Sequence, residues 1–156
     1  MANTDVNKIT GSLLNLFNNS AVISKPYDGY VGSFFFGPNQ ELSFRNDQPK
    51  GRVIADETFM DNKSFGTRFG YDKTYNIFVD FYTIRGVKDS EGKTNYELVN
   101  KYLQKIEDAI VDYPNTFGPV TIVNIADQDA PTPLDDVGNN VIGGRKLIVL
   151  RERRNG

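Results

Sequence analysis

Two acidic groupings are the places where residue type and spacing could do chemistry. Asp127-x-Asp129 sets two carboxylates two residues apart, a spacing able to share a hard divalent cation. Asp80 with the later Glu91-Gly92-Lys93 supplies two acids to hold magnesium and a lysine to stabilise developing charge, the chemistry of metal-assisted phosphodiester cleavage. Both have a plainer reading. The first pair lies in a proline-broken stretch without the Gly and Glu of a calcium loop, and Lys88 to Lys93 reads as a polar turn where catalysis would need a strand. The chain contains no histidine and no cysteine, which removes Ser-His-Asp and Cys-His nucleophiles, disulfides and the usual zinc ligands. No GxxxxGK[ST] or GxGxxG string is present to cradle a phosphate. Much of enzymology is thereby excluded, and neither acidic grouping is expected to be a catalytic or metal site, with no cofactor expected.

The elements that would position these residues read as one α+β domain, a mostly antiparallel or mixed sheet flanked by two main helices. Val6, Ile9, Leu13, Leu16 and Phe17 form one helical stripe that Thr4 or Asp5 could cap. Short β-like runs follow at Ala21 to Ser24, Ser33 to Phe36, Glu41 to Arg45 and Arg52 to Met60. From Gly66 to Arg85 the pattern alternates. Tyr75, Ile77, Val79 and Phe81 share one face, and Phe78, Tyr82 and Ile84 share the other with Asn76 and Asp80. One face should therefore meet helices, and the other should be partly covered by something else, a second subunit being one candidate. Thr94-x-x-Glu97 can cap a second helix, whose stripe is Val99, Tyr102, Leu103, Ile106, Ile110 and Tyr113 before Pro114 stops it. Strands at Val120 to Ala126 and Val141 to Arg151 close the domain, with Gly143-Gly144 suggesting a bulge or bend. The connection from Asp127 to about Gly138 reads as a mobile acidic loop, and the C-terminus as a basic tail.

The chain has 156 residues, 38% of them hydrophobic and 24% charged, with 18 Lys and Arg against 20 Asp and Glu. A net charge of -2 gives no global attraction to nucleic acid or an anionic membrane. No apolar run approaches the roughly 18 residues that cross a bilayer, and Met1 to Asp5 lacks a signal-like basic region, so an aqueous compartment and no membrane partner are expected. Asn-x-Ser at Asn18 and Asn62 then reads as chance. Phe34, Phe35 and Phe36, near Tyr27 and Tyr30, could stack bases, but no Lys or Arg lies between Pro26 and Arg45; burial in the core or beneath a neighbouring subunit explains them better.

Charge is unevenly placed. Glu107 to Gly144 carries seven acids, among them Asp127, Asp129, Asp135 and Asp136, and no base; Arg145 to Gly156 carries five bases, among them Arg151, Arg153 and Arg154, against Glu152. Either the two patches screen each other within the subunit, or they meet head to tail between subunits and close a ring. Phe34, Phe35, Phe36 and Tyr82, together with these seven charged residues, are the oligomer-interface candidates.

The order of elements, with Tyr75-Asn76-Ile77-Phe78-Val79-Asp80-Phe81-Tyr82-Thr83-Ile84-Arg85 as its long strand and Tyr96 to Tyr113 as its capped helix, resembles that of tailed-phage tail terminator proteins over roughly Val6 to Arg151. The resemblance implies a structural virion protein forming a homo-oligomeric ring, commonly a hexamer, at the head-proximal end of the tail tube. Its implied partners are other copies of itself, the tail tube protein and the head connector or head-closure protein, with DNA passing through the lumen unbound. It would reside at the head-tail junction of the virion, and in the host cytoplasm during assembly. The stretch Ala21 to Met60 is richer in Phe and Gly than that family's texture, which leaves open another neck protein, for head closure or tail completion. A magnesium-dependent nuclease and a monomeric peptide- or ligand-binding module are the competing classes.

Overall fold

The stripe from Val6 to Phe17 does form a helix, α1 (Val6–Asn19), because Ile9, Leu13 and Phe17 recur on one side and are buried there. The remaining elements of the computed structural model are β1 (Phe35–Phe36), β2 (Lys50–Ala55), β3 (Gly70–Ile84), α2 (Asn95–Asp112), β4 (Val120–Leu134) and β5 (Val141–Asn155). The structure describes residues 6–30, 32–37, 48–55, 70–112, 120–134 and 141–155. The strands form one sheet in the order β1-β2-β3-β5-β4, antiparallel except where β1 runs parallel to β2. This is the α+β architecture with a mixed sheet that the sequence predicts.

Helix α2 starts where the chain leaves β3 through a tight turn. The Thr94 carbonyl accepts hydrogen bonds from the Glu97 and Leu98 N–H groups at 3.1 and 3.3 Å. Asn95 takes the left-handed backbone region, at φ +53°, and its side-chain oxygen accepts from the Gly86 N–H at 2.8 Å. Asparagine tolerates that region better than most residues, and this bond holds it there. The buried stripe is Leu98, Val99, Tyr102, Leu103, Ile106, Ala109 and Ile110, so Leu98 and Ala109 join the predicted set while Tyr113 lies outside the described residues.

Both helices pack on the same face of the sheet. Alternate residues of β3, Tyr75, Ile77, Val79 and Phe81, enter the core with Ile148 and Leu150 of β5 and the stripes of α1 and α2. Phe81 stacks on Tyr102 with centroids 4.6 Å apart and planes 8° apart, and Phe34 meets both rings edge-on at 5.8 and 5.2 Å. Gly144 explains how closely α2 approaches. A Cβ there would come within 2.9 Å of the Leu103 and Val99 side chains, so a larger residue would require that contact to shift.

Several boundaries differ from the sequence reading. Ala21 to Ser24 is a series of bends, and the β1 pairing shrinks to two residues. Glu41 to Arg45 and residues 56–60 and 66–69 lie outside the described residues. The Gly143-Gly144 bulge is not on β5, which keeps unbroken register with β3 through Tyr82↔Gly143 and Phe81↔Gly144. Instead β4 carries three register shifts against β5, between Ile122 and Asn124, Asp127 and Asp129, and Asp129 and Thr132. The stretch read as a mobile loop is thus strand as far as Leu134, and the stretch read as a basic tail is β5 through Asn155. Pro131 and Pro133 misled because proline is barred from central strands but accepted at bulged edges, which is where β4 lies.

Candidate assembly surfaces

Among the described residues, no helix lies on the second face of the sheet. Its β3 residues are the even-numbered ones, and Phe78, Tyr82 and Ile84 among them are half-buried. Facing them across the ladders are Arg52 and Ile54 of β2 and Arg145, Leu147 and Val149 of β5. An aspartate in mid-strand is unfavourable unless something compensates it. Here Asp80 is 2% exposed and directly opposite Arg145. The Arg145 guanidinium donates through Nε to Oδ1 at 2.7 Å and through its terminal nitrogen to Oδ2 at 3.0 Å, a two-pronged charge-assisted pair. The Tyr82 hydroxyl donates to Oδ2 at 2.6 Å, and the guanidinium carbon sits 4.4 Å from the Phe78 ring centroid. Burial pushes the Tyr82 phenol above its ordinary pKa, and the Asp80 charge adds to the shift.

These bonds engage both carboxylate oxygens of Asp80. Glu91, the other acid of the candidate cleavage site, pairs with Lys101 at 3.1 Å. The two acids are thus held by different cations, and no group of three or more His, Cys, Asp or Glu poised to hold a metal occurs among the described residues.

A second buried acid ties two loops together. The Asp89 side chain is wholly buried; Oδ1 accepts from the Glu91 and Lys93 N–H groups at 3.0 and 2.7 Å, and Oδ2 takes the Lys101 ammonium. Next to it the Ser90 N–H donates to the Pro26 carbonyl at 2.8 Å. Burial alone would raise the Asp89 pKa, but the Lys101 hydrogen bond, the two backbone donors and the lysine charge outweigh it and hold the group below its ordinary value. A depressed folded-state pKa gives stability that is present above the unfolded value and lost as pH falls through the folded one. Asp89→Asn should therefore lower stability near neutral pH by about 2 kcal/mol, the scale of a hydrogen bond to a charged group. Urea midpoints of the two proteins should converge as the pH is lowered into the acid range; a constant gap would show that the Asp89 charge is not what stabilises the loop.

The two sheet edges are treated differently. At β1 the Asn18 side-chain amide imitates a neighbouring strand, its oxygen accepting from the Phe35 N–H at 2.9 Å and its nitrogen donating to the Phe35 carbonyl at 3.2 Å. At the opposite edge β4 runs 15 residues with its three bulges.

The predicted interface residues separate on this frame. Phe34 and Phe35 are 3% and 2% exposed, so they are core residues and are corrected as interface candidates. Phe36 is half-buried with the Lys50 ammonium 5.1 Å from its ring, Tyr82 lies on the sheet face opposite the two helices, and Arg151 is exposed. The backbone register sets Asp127 opposite Lys146, Asp129 opposite Arg145, and Arg153 opposite Asp72, while Arg154 lies opposite Tyr71. Lys146 is itself buried and reaches Glu107 at 3.8 Å. Two of the acids are thus set opposite two of the bases in one sheet, and for those pairs the register favours screening within the subunit. Asp135 and Asp136 lie outside the described residues. Arg145, Asp89, Lys101 and Lys146 were missed as a set because their partners are distant in sequence; the one available signal was Asp80, an acid set among aromatics in a strand.

What fold and surfaces define is an α+β domain with helices on one sheet face and a mixed aromatic, aliphatic and charged surface on the other. No protein-family model matches the chain, and no curated protein matches it in sequence.

Proposed function

We propose that this protein is a structural component of a tailed-phage neck, a tail terminator that assembles as a ring on the head-proximal end of the tail tube and stops its polymerisation. The observation that carries the reading is the sheet face opposite the two helices, where Phe78, Tyr82 and Ile84 are only half-buried, bounded by the long β4 edge. Such a surface suits side-to-side packing of identical subunits. The order of helix, strands, long aromatic strand, helix and closing strands agrees with the resemblance noted from the sequence. Termination in this reading is steric: one ring face copies the surface that a tube subunit presents, and the other offers the next tube subunit no site and meets the head connector instead. The Asp80–Arg145–Tyr82 cluster stiffens the sheet on which those surfaces are displayed.

Sedimentation of the purified protein tests the assembly step. A single species at a fixed multiple of the 17.5 kDa subunit is expected. A 17.5 kDa species at every concentration and salt level would contradict the reading.

A further inference from the structure

Helix α2 buries one side against the sheet and exposes the other. Along the outer side Tyr96, Asn100, Gln104, Glu107 and Val111 follow at intervals of four, four, three and four residues, the spacing of a single stripe. Tyr96 and Val111 are 40% and 63% exposed, and they are the large hydrophobics exposed among the described residues. They stand about 22 Å apart along the axis, one near each end of the helix. Between them the Gln104 amide donates to the Glu107 and Asp108 carboxylates at 2.9 and 3.0 Å. A stripe with an apolar anchor at each end and amides in the middle suits a second helix laid along it.

Charge indicates which helix that is. From Lys93 to Lys105 there are three bases and one acid, Glu97; from Ile106 to Asp112 there are three acids, Glu107, Asp108 and Asp112, and no base. Bases early and acids late is the reverse of what the helix dipole favours, and only Glu97, in the first turn, is placed with it. Part of this charge is met within the subunit, Lys101 by Asp89 and Glu91, and Glu107 by Lys146 at 3.8 Å. Lys93 and Asp112, at the two ends, are both exposed, and Lys93 meets Glu97 at a loose 3.8 Å. The surface that complements such a helix, base for acid and positive end for negative end, is the same helix running the other way.

We propose that α2 is a self-docking surface, on which α2 of a second copy packs antiparallel about a two-fold axis near Gln104. In that register Tyr96 of each copy covers Val111 of the other, Lys93 approaches the other copy's Asp112, and the two Gln104 side chains meet at the axis. The opposed dipoles attract, and each acidic half lies beside a basic half. The contact is isologous: it uses one patch twice and closes at two subunits. It does not rest on the ring reading, which uses the opposite sheet face, and it joins subunits in pairs whether or not they also stand in a ring.

A chain without cysteine allows a direct test. Gln104→Cys places a single thiol near the axis, within reach of its symmetry mate, so mild oxidation should give a covalent species of twice the 17.5 kDa chain mass. Ala21→Cys, an exposed position off the helix, should give little of it under the same conditions. In sedimentation Tyr96→Ala and Val111→Ala should each weaken pairing about tenfold or more, as when an interface anchor is lost. Melting should show that both variants remain folded, since each truncates an exposed side chain. Equal cross-linking at positions 104 and 21, or pairing indifferent to both alanine variants, would overturn the contact and leave the ring reading in place. A native protein that is monomeric at every concentration would overturn both.

Discussion

Phe81→Ala is expected to destabilise the fold by about 4 kcal/mol, the usual range for removing a fully buried phenylalanine. Phe81 has no exposed surface and is the meeting point of β3, α2 and the segment before β1. Truncation removes its stacking on Tyr102 and its edge contact with Phe34 together, and it leaves a cavity that the sheet cannot collapse into. The two rings would lose their common partner, and the Tyr102 hydrogen bond to Ser24 that anchors the following loop would weaken with them. Phe78→Ala is the control, because that ring lies three residues away on the half-buried face and should cost well under half as much. Urea unfolding of the three proteins checks this. Equal losses at the two positions would mean that the helix-covered face is not the principal core.

Arg145→Ala is the second large effect, at about 3 kcal/mol, because it strands a buried carboxylate. Asp80 would lose both guanidinium bonds, with the Tyr82 hydroxyl still donating to it. The Arg145 side chain is 35% exposed, so water reaches the vacated site and sets the loss near the bottom of the range for breaking a buried pair. Replacing both partners with apolar residues, Asp80→Leu with Arg145→Met, should bring stability back to within about 1 kcal/mol of the native protein, since the desolvation penalty disappears with the pair. A double variant as unstable as the single one would show that the cluster stabilises through Tyr82 or Arg52 and not through the ion pair. Whether the double variant still assembles separates the cluster's structural role from any contact it makes with a neighbouring subunit.

The sequence carried the helices and the long strand because their signals are periodic and local. Ile9, Leu13 and Phe17 on one side of α1, and Tyr75, Ile77, Val79 and Phe81 on one side of β3, are legible without any partner. The end of β4 was not, since Asp127 to Leu134 has the composition of a loop and becomes a strand only by pairing with the strongly β-forming Val141 to Leu150. Tertiary pairing overrides local propensity there. The charge asymmetry was legible but its meaning was not. Register decides whether opposite charges are neighbours, and the pairing of β4 with β5 sets Asp127 opposite Lys146 and Asp129 opposite Arg145. Phe34 and Phe35 raised the same ambiguity between core and interface, which only their contacts with Phe81, Tyr102 and Phe17 resolve.

Electron-microscope images of the purified protein mixed with tail tubes whose ends are bare test the proposed role most directly. The account predicts a collar of copies on one end of each tube, and tubes that no longer lengthen when more tube subunit is added. Tubes that keep growing with bare ends, in the presence of a protein that remains a separate 17.5 kDa molecule, would contradict it.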